Sequence, residues 1–177
     1  MMTDRIVCLQ ELNKGEDQDF IAALGEVFEQ SPWLVKRTAS ARPFVSRDAL
    51  INALMATMYG ATKEEKLLLI RAHPDLAGKA AREGSLTDHS QQEQSSIGLD
   101  RLSDREYERF TRLNDAYKKK FGFPFIVAVV DHTKESILEA FEERLESDRD
   151  NQIEEAIKNI GRIVSTRVLG TVTEKRV

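Results

Sequence analysis

Along this chain apolar residues recur at intervals of three and four, the spacing of one helix face, and strand-like alternation hardly appears. Phe20, Ile21, Leu24, Val27 and Phe28 share such a face, and Ser31-Pro32-Trp33 is expected to terminate that helix. Ser46 is placed to cap a second helix carrying Leu50, Ile51, Leu54, Met55 and Met58, with Gly60 just past its end. Thr62 with Glu65, Ser90 with Glu93 and Ser103 with Glu106 each fit a capping box. In that motif the hydroxyl accepts from the backbone N–H three residues on, and the acidic side chain accepts in return. The third box opens a long helix with Tyr107, Phe110, Leu113, Tyr117 and Phe121 on one face and Gly122 as its C-cap. The run FPFIVAVV, Phe123 to Val130, reads as extended. Two helices follow, one bearing Ile137, Leu138, Phe141 and Leu145, the other starting near Asn151 and bearing Ile153, Ile157, Ile160 and Val164.

These patterns predict an all-α fold, a single-domain bundle over residues 1–177 with roughly seven or eight helices and one short extended segment. With 177 residues and 41% hydrophobic content, the chain is long enough for one substantial core and too short to favour two domains. A net charge of -4, with basic residues scattered among acidic ones, gives no footprint for nucleic acid or an anionic membrane. Lys118 to Lys120 read as the solvated end of a helix, where cations complement the carbonyl dipole. The single cysteine, Cys8, rules out an intramolecular disulfide and any multi-cysteine zinc site, and reads as small apolar filler in a reducing compartment. FPFIVAVV falls far short of the ~20 residues that cross a bilayer, and no signal-peptide core opens the chain, so a soluble intracellular protein is expected.

The stretch LLLIRAHPDLAGKAA, Leu67 to Ala81, begins as a helix interior and is broken by a histidine and a proline. The ring of Pro74 disfavours helical conformation at the residue before it, so the helix from Lys63 is expected to end at about Ala72 and expose His73 at its mouth. An imidazole there suits proton transfer. It equally suits a histidine that bonds the last helical carbonyls or sits half-buried in the core. Glu93 has a plain role as the third residue of the box opened by Ser90. Arg167, seven residues beyond Ile160, falls on or beside the apolar stripe of the last helix, and an inward arginine needs an anion. That anion is either an internal carboxylate or a substrate carboxylate gripped by the guanidinium fork.

Six motifs carry a resemblance: SPW at Ser31, RPF at Arg42, IRAHPDLAGKAA at Ile70, SQQEQSSIGL at Ser90, NDAYKKKFGFPFIV at Asn114 and GRIVSTRVLG at Gly161. In order, over about residues 20–170, they resemble the decarboxylase of urate degradation that acts on 2-oxo-4-hydroxy-4-carboxy-5-ureidoimidazoline (OHCU) and releases S-allantoin. The resemblance implies an all-α fold, a homodimer and an active site with neither metal nor cofactor. Carried over by position, it implies His73, Glu93 and Arg167 as catalytic residues, with Arg167 also binding substrate. Pro74, Ser90 and Gln94 line the pocket, and the extended segment contributes backbone groups around Phe125 and Ile126. Ile97 departs from the pattern, since relatives often carry alanine there, and is expected to alter the packing behind Glu93.

The implied chemistry is self-consistent. Loss of CO2 from C4 leaves electron density that the adjacent ring C=N bond accepts, so the protein need only orient and protonate. Arg167 would hold oxygens while His73, oriented by Glu93, handles the proton of the 4-hydroxyl or of the developing carbanion. The ending TVTEKRV lacks a peroxisomal Ser-Lys-Leu, which points to the cytoplasm, and the domain is expected to be fused to or cooperate with urate oxidase. A non-catalytic helical binding module explains the fold equally well but not three polar residues on one family's motif positions. A metal hydrolase fits less well, because His73, His89 and His132 lack close ligand spacing.

Overall fold

The computed structural model describes residues 6–175. The first five residues of the expected domain and its last two, Arg176 and Val177 of the closing TVTEKRV, lie outside the described residues. In chain order the elements are β1 (Val7–Cys8), α1 (Leu9–Lys14), α2 (Asp17–Leu24), α3 (Pro32–Thr38), α4 (Arg47–Tyr59) and α5 (Lys63–Arg71). There follow α6 (Lys79–Glu83), α7 (Asp88–Ser96), α8 (Asp104–Phe121), α9 (Lys134–Leu145), α10 (Arg149–Thr171) and β2 (Val172–Thr173). The fold is predominantly all-α; β1 and β2 form one short parallel pair, with Val7 opposite Val172. Ten α-helices among the described residues exceed the expected seven or eight because α1, α3 and α6 are each at most seven residues long, too short to show a period.

The chain folds as two compact units, one running to Leu69 and resuming at Gly161, the other Ile70–Ile160. In the first, Phe20, Leu24, Leu34, Leu50, Leu54, Val164 and Val168 are fully buried. The helix expected to run through Phe28 stops at Leu24. At Gly25 the backbone turns so tightly that a β-carbon would lie 2.7 Å from the Ile21 carbonyl oxygen. Val27 and Phe28 still bury completely, from a turn, so the apolar spacing survived without the helix. Ser31-Pro32-Trp33 does not end a helix but begins one: Pro32 is the first residue of α3, where a missing N–H costs nothing. Ser46 caps α4 as expected, accepting from the Ala49 N–H at 3.1 Å.

The RPF motif is scaffold. Arg42 donates to the carbonyls of Leu12 and Gly15 at 3.0 and 2.7 Å and pairs with Asp17, while the Asn13 amide exchanges two 2.8 Å bonds with the Phe44 backbone. Gly161 lies against α4: a β-carbon there would stand 3.1 Å from the Met55 sulfur.

The second unit is built on the apolar face of α8. Tyr117 packs against Phe121, Phe123, Phe125 and Phe141, and Phe125 stacks on Phe141 with ring centres 3.7 Å apart. The Tyr117 hydroxyl donates to Gln152 Oε1 at 2.7 Å, and burial pushes its pKa up. Gly122 ends α8 in the left-handed conformation, φ +81°, so the chain can reverse into the extended segment. Arg144 then secures that segment, donating to the Ile126 carbonyl at 2.7 Å and lying over the Phe125 ring.

The box at the start of α8 forms as expected. Glu106 accepts from the Ser103 backbone N–H and hydroxyl at 2.8 and 2.7 Å and from Lys134 of α9 at 2.8 Å. The Lys134 bond first, then those from Ser103, hold its carboxyl down to about 2. A carboxyl depressed by folding contributes stability that is complete above its ordinary value of 4.5 and is lost as the pH falls from there through about 2. Glu106→Gln should therefore lower the melting temperature at pH 7 and make it less sensitive to acid between pH 5 and about 2.5. Parallel melts that lose stability equally over that interval would disprove the assignment.

Candidate active site

His73 sits where helix and proline meet. The last turn of α5 closes with the His73 N–H donating to the Ile70 carbonyl at 3.2 Å, and Pro74 then forbids another helical residue. The expected exposure is corrected: His73 is only 9% exposed, and the chain just beyond it is held by side chains from two other helices.

Gln94 of α7 is the centre of that arrangement. Its Oε1 accepts from the Ala77 N–H at 2.8 Å and its Nε2 donates to the Asp75 carbonyl at 3.4 Å, so one amide spans the turn that follows His73. From α8, Asn114 donates to the Leu76 carbonyl at 2.8 Å and Lys118 pairs with the Asp75 carboxylate at 2.6 Å. Lys118 thus does more than complement a helix end. The turn needs this hold, because Ala77 adopts φ +52°, a left-handed conformation that is uncommon outside glycine.

The helix register of α7 corrects the reading of Glu93. Thr87, not Ser90, is the N-cap, its hydroxyl accepting from the Ser90 N–H at 3.4 Å. Ser90 is therefore the third helical residue, and Glu93 lies a turn further in, beyond the first-turn N–H groups a capping carboxylate serves. Thr87 precedes Ser90 by the same three residues that separate Ser90 from Glu93, so spacing alone fitted a cap at either hydroxyl. Ser90 and Gln94, four apart, are both buried on the side of α7 that meets the His73 turn; Glu93 is half-buried beside them. Pro74 is also half-buried, and Ile97 caps the far end of α7.

Phe125 and Ile126 are buried in the extended segment of the same unit. The Ile126 carbonyl accepts from Arg144, and the Ala128 N–H donates to Asn159 Oδ1 at 3.1 Å.

In the first unit Arg167 projects inward from α10, as its place on the apolar stripe predicts. Its Nη1 donates to Glu29 Oε2 at 3.1 Å and to the Glu26 carbonyl at 3.3 Å, and both charged side chains are only 2% exposed. The need for an anion was legible in the sequence. Glu29 was not, since 138 residues separate the partners and nothing local marks a carboxylate for a distant helix. The roles of Asn114, Lys118 and Asp75 are equally non-local: Lys118 reads as a solvated helix end, and neither Asn114 nor Asp75 carries a local signal of the turn that they hold together.

The sequence model of the family described as OHCU decarboxylase matches residues 13–169. A protein of Halalkalicoccus jeotgali named 2-oxo-4-hydroxy-4-carboxy-5-ureidoimidazoline decarboxylase is 42% identical over 160 residues, covering 90% of this chain and 89% of that one. The uric acid degradation bifunctional protein PucL of Bacillus subtilis is 38% identical over 167 residues, 94% of this chain but 33% of its own length. A crystal structure of (S)-allantoin synthase superposes with a TM-score of 0.72 at 26% identity, covering 94% of this chain and 54% of that one.

The Gln94 amide carries a measurable load. Gln94→Ala strips the buried Ala77 N–H of its acceptor and should cost about 1–3 kcal/mol in urea unfolding with an unchanged denaturant slope. A negligible loss would show that the amide does not hold the turn.

Proposed function

Since the chain belongs to the OHCU decarboxylase family, we infer that it decarboxylates 2-oxo-4-hydroxy-4-carboxy-5-ureidoimidazoline to S-allantoin, a carboxy-lyase step of urate degradation. The observation that carries this reading is a family match running almost the length of the chain, through all the motifs that bear polar site residues. In the reaction the bond from C4 to the carboxylate breaks, and its electron pair forms a C4=C5 double bond as the C5=N pair moves onto the ring nitrogen. That nitrogen takes up one proton. The C4 hydroxyl then gives up its proton, C5 gains one, and C4 becomes the carbonyl of allantoin. CO2 leaves, and the face on which C5 is protonated sets the S configuration.

We assign His73 the proton exchange between the C4 hydroxyl and C5, with Glu93 orienting the imidazole. The clamped turn supports this, because a proton donor must be held within a fraction of an ångström to act on one face. Arg167 takes the substrate's anionic oxygens; Ser90, Gln94, Pro74 and the backbone at Phe125 and Ile126 shape the pocket around the imidazoline ring. The buried bond to Glu29 also favours a second reading of Arg167, as a structural ion pair. No described helix is long and apolar enough to cross a membrane. On the strength of the family resemblance, we propose a cytoplasmic homodimer. It takes OHCU from urate oxidation, cooperating with urate oxidase either as a separate protein or as one part of a bifunctional chain like PucL.

Adding the protein to freshly generated OHCU and following optical rotation tests the activity directly: rapid appearance of one allantoin enantiomer is expected, and an unaccelerated racemic product would overturn it. His73→Ala should lower turnover at least ~100-fold with the fold intact. Because Glu93 lies outside the N-terminal cap, Glu93→Gln should abolish most activity while moving the melting temperature little. A folded His73→Ala enzyme of near-normal rate, or a Glu93→Gln enzyme that loses stability but not rate, would refute the corresponding role.

A further inference from the structure

We propose that Glu29 is a positioning residue for the decarboxylation, fixing the plane of the Arg167 guanidinium so that it meets the substrate in one orientation. The inference rests on the reading of Arg167 as the substrate-gripping residue.

Three observations carry it. The pair is almost completely withdrawn from water, and a buried ion pair is a poor stability device, since apolar residues of similar volume commonly do as well or better in its place. Its cost calls for a function that a hydrophobic contact could not supply. The geometry is also specific: the Glu29 carboxylate and the Glu26 carbonyl converge on the same nitrogen, Nη1, which immobilises a planar group at one end. Rotation about the long arginine side chain is the freedom that a bidentate grip cannot tolerate.

Glu29 itself is rigidly presented. It lies in the turn between α2 and α3, anchored by the fully buried Val27 and Phe28 just before it. The Val27 N–H donates to the Leu24 carbonyl at 3.0 Å and the Ser31 N–H to that of Phe28 at 3.3 Å. The next residue, Gln30, stands at φ +44°, in the left-handed region that side chains avoid. Gln30 and Ala77 are the two non-glycine residues with positive φ among the described residues. Ala77 follows His73 in its turn, and Gln30 follows the carboxylate bound to Arg167. Strained backbone of this kind persists where the surroundings over-determine it, and here it secures the support of two residues assigned to the reaction.

The test compares Glu29→Gln, Glu29→Asp, Arg167→Lys and the double variant Glu29→Gln with Arg167→Lys, each as the full chain. KM and kcat are measured with OHCU, the Kd with S-allantoin by calorimetry, and the unfolding midpoint on the same samples. Glu29→Gln, which keeps the shape but not the charge, should raise KM and Kd about tenfold or more, a difference of about 1.4 kcal/mol. In the Arg167→Lys background the same change should alter them less than about threefold, because the orientation it secures is already gone. Glu29→Asp should fall between wild type and Glu29→Gln, and it stands in as the readout if Glu29→Gln does not fold. A Glu29 variant with a lowered unfolding midpoint but wild-type KM and Kd, beside a weakened Arg167→Lys, overturns the positioning role alone. Unchanged KM and Kd in Arg167→Lys overturn the assignment of Arg167 on which it rests.

Discussion

Pro74 denies the residue before it the helical conformation, and the arrangement of the second unit follows from how the chain is recaptured after that break. A helix stopped in mid-run leaves backbone N–H and C=O groups that a buried segment must pair elsewhere. Here the partners come from side chains: the Gln94 amide takes two of them, Asn114 takes a third, and Lys118 holds the one carboxylate in the turn. These residues belong to α7 and α8, so the turn after His73 takes its partners from two other helices. Position 73 is consequently set by tertiary structure, although the break that creates it is set by one local residue.

Arg167 is held by the opposite logic. Nothing in the sequence around it is unusual, and α10 would form equally well with leucine there. What fixes the side chain is a carboxylate brought from the far end of the chain, in a place dry enough that neither charge would be tolerated alone. The first unit thus carries a charged pair inside a core that includes Phe20, Leu24, Leu34, Leu50, Leu54 and Val168. A core of those residues has no need of the pair for cohesion, which turns attention to what the guanidinium is being held for.

Much of this was legible from residue types and spacing. The caps at Ser46, Thr62 and Ser103 and the C-cap at Gly122 are local contracts between a few adjacent residues, and they form as the sequence predicts. The all-α class followed from the period of the apolar positions. Where local reading went astray, two local rules competed: Thr87 and Ser90 both stand three residues before a group they can bind, and only packing of α7 selects Thr87. Likewise Gly25 ended α2 before its apolar spacing ran out, and Pro32 opened the next helix instead of closing the last. The residues that hold the candidate site were least legible, because Gln94, Asn114, Lys118 and Glu29 act on partners between 17 and 138 positions away.

The shift of the α7 cap by three residues also changes what Glu93 can be. Had Ser90 opened the helix, the Glu93 carboxylate would have been committed to the backbone at the N-terminus, a role glutamine fills almost as well. With Thr87 as the cap, that demand is met elsewhere, and a carboxylate half-buried beside Ser90 and Gln94 has no duty in capping. Glutamine matches that side chain in shape, so what distinguishes Glu93 at this position is its charge. The same argument applies to Glu29 and Arg167. Each unit also holds one non-glycine residue in the left-handed conformation, Gln30 beside Glu29 and Ala77 in the turn after His73, and in each the surrounding side chains and backbone bonds fix the turn.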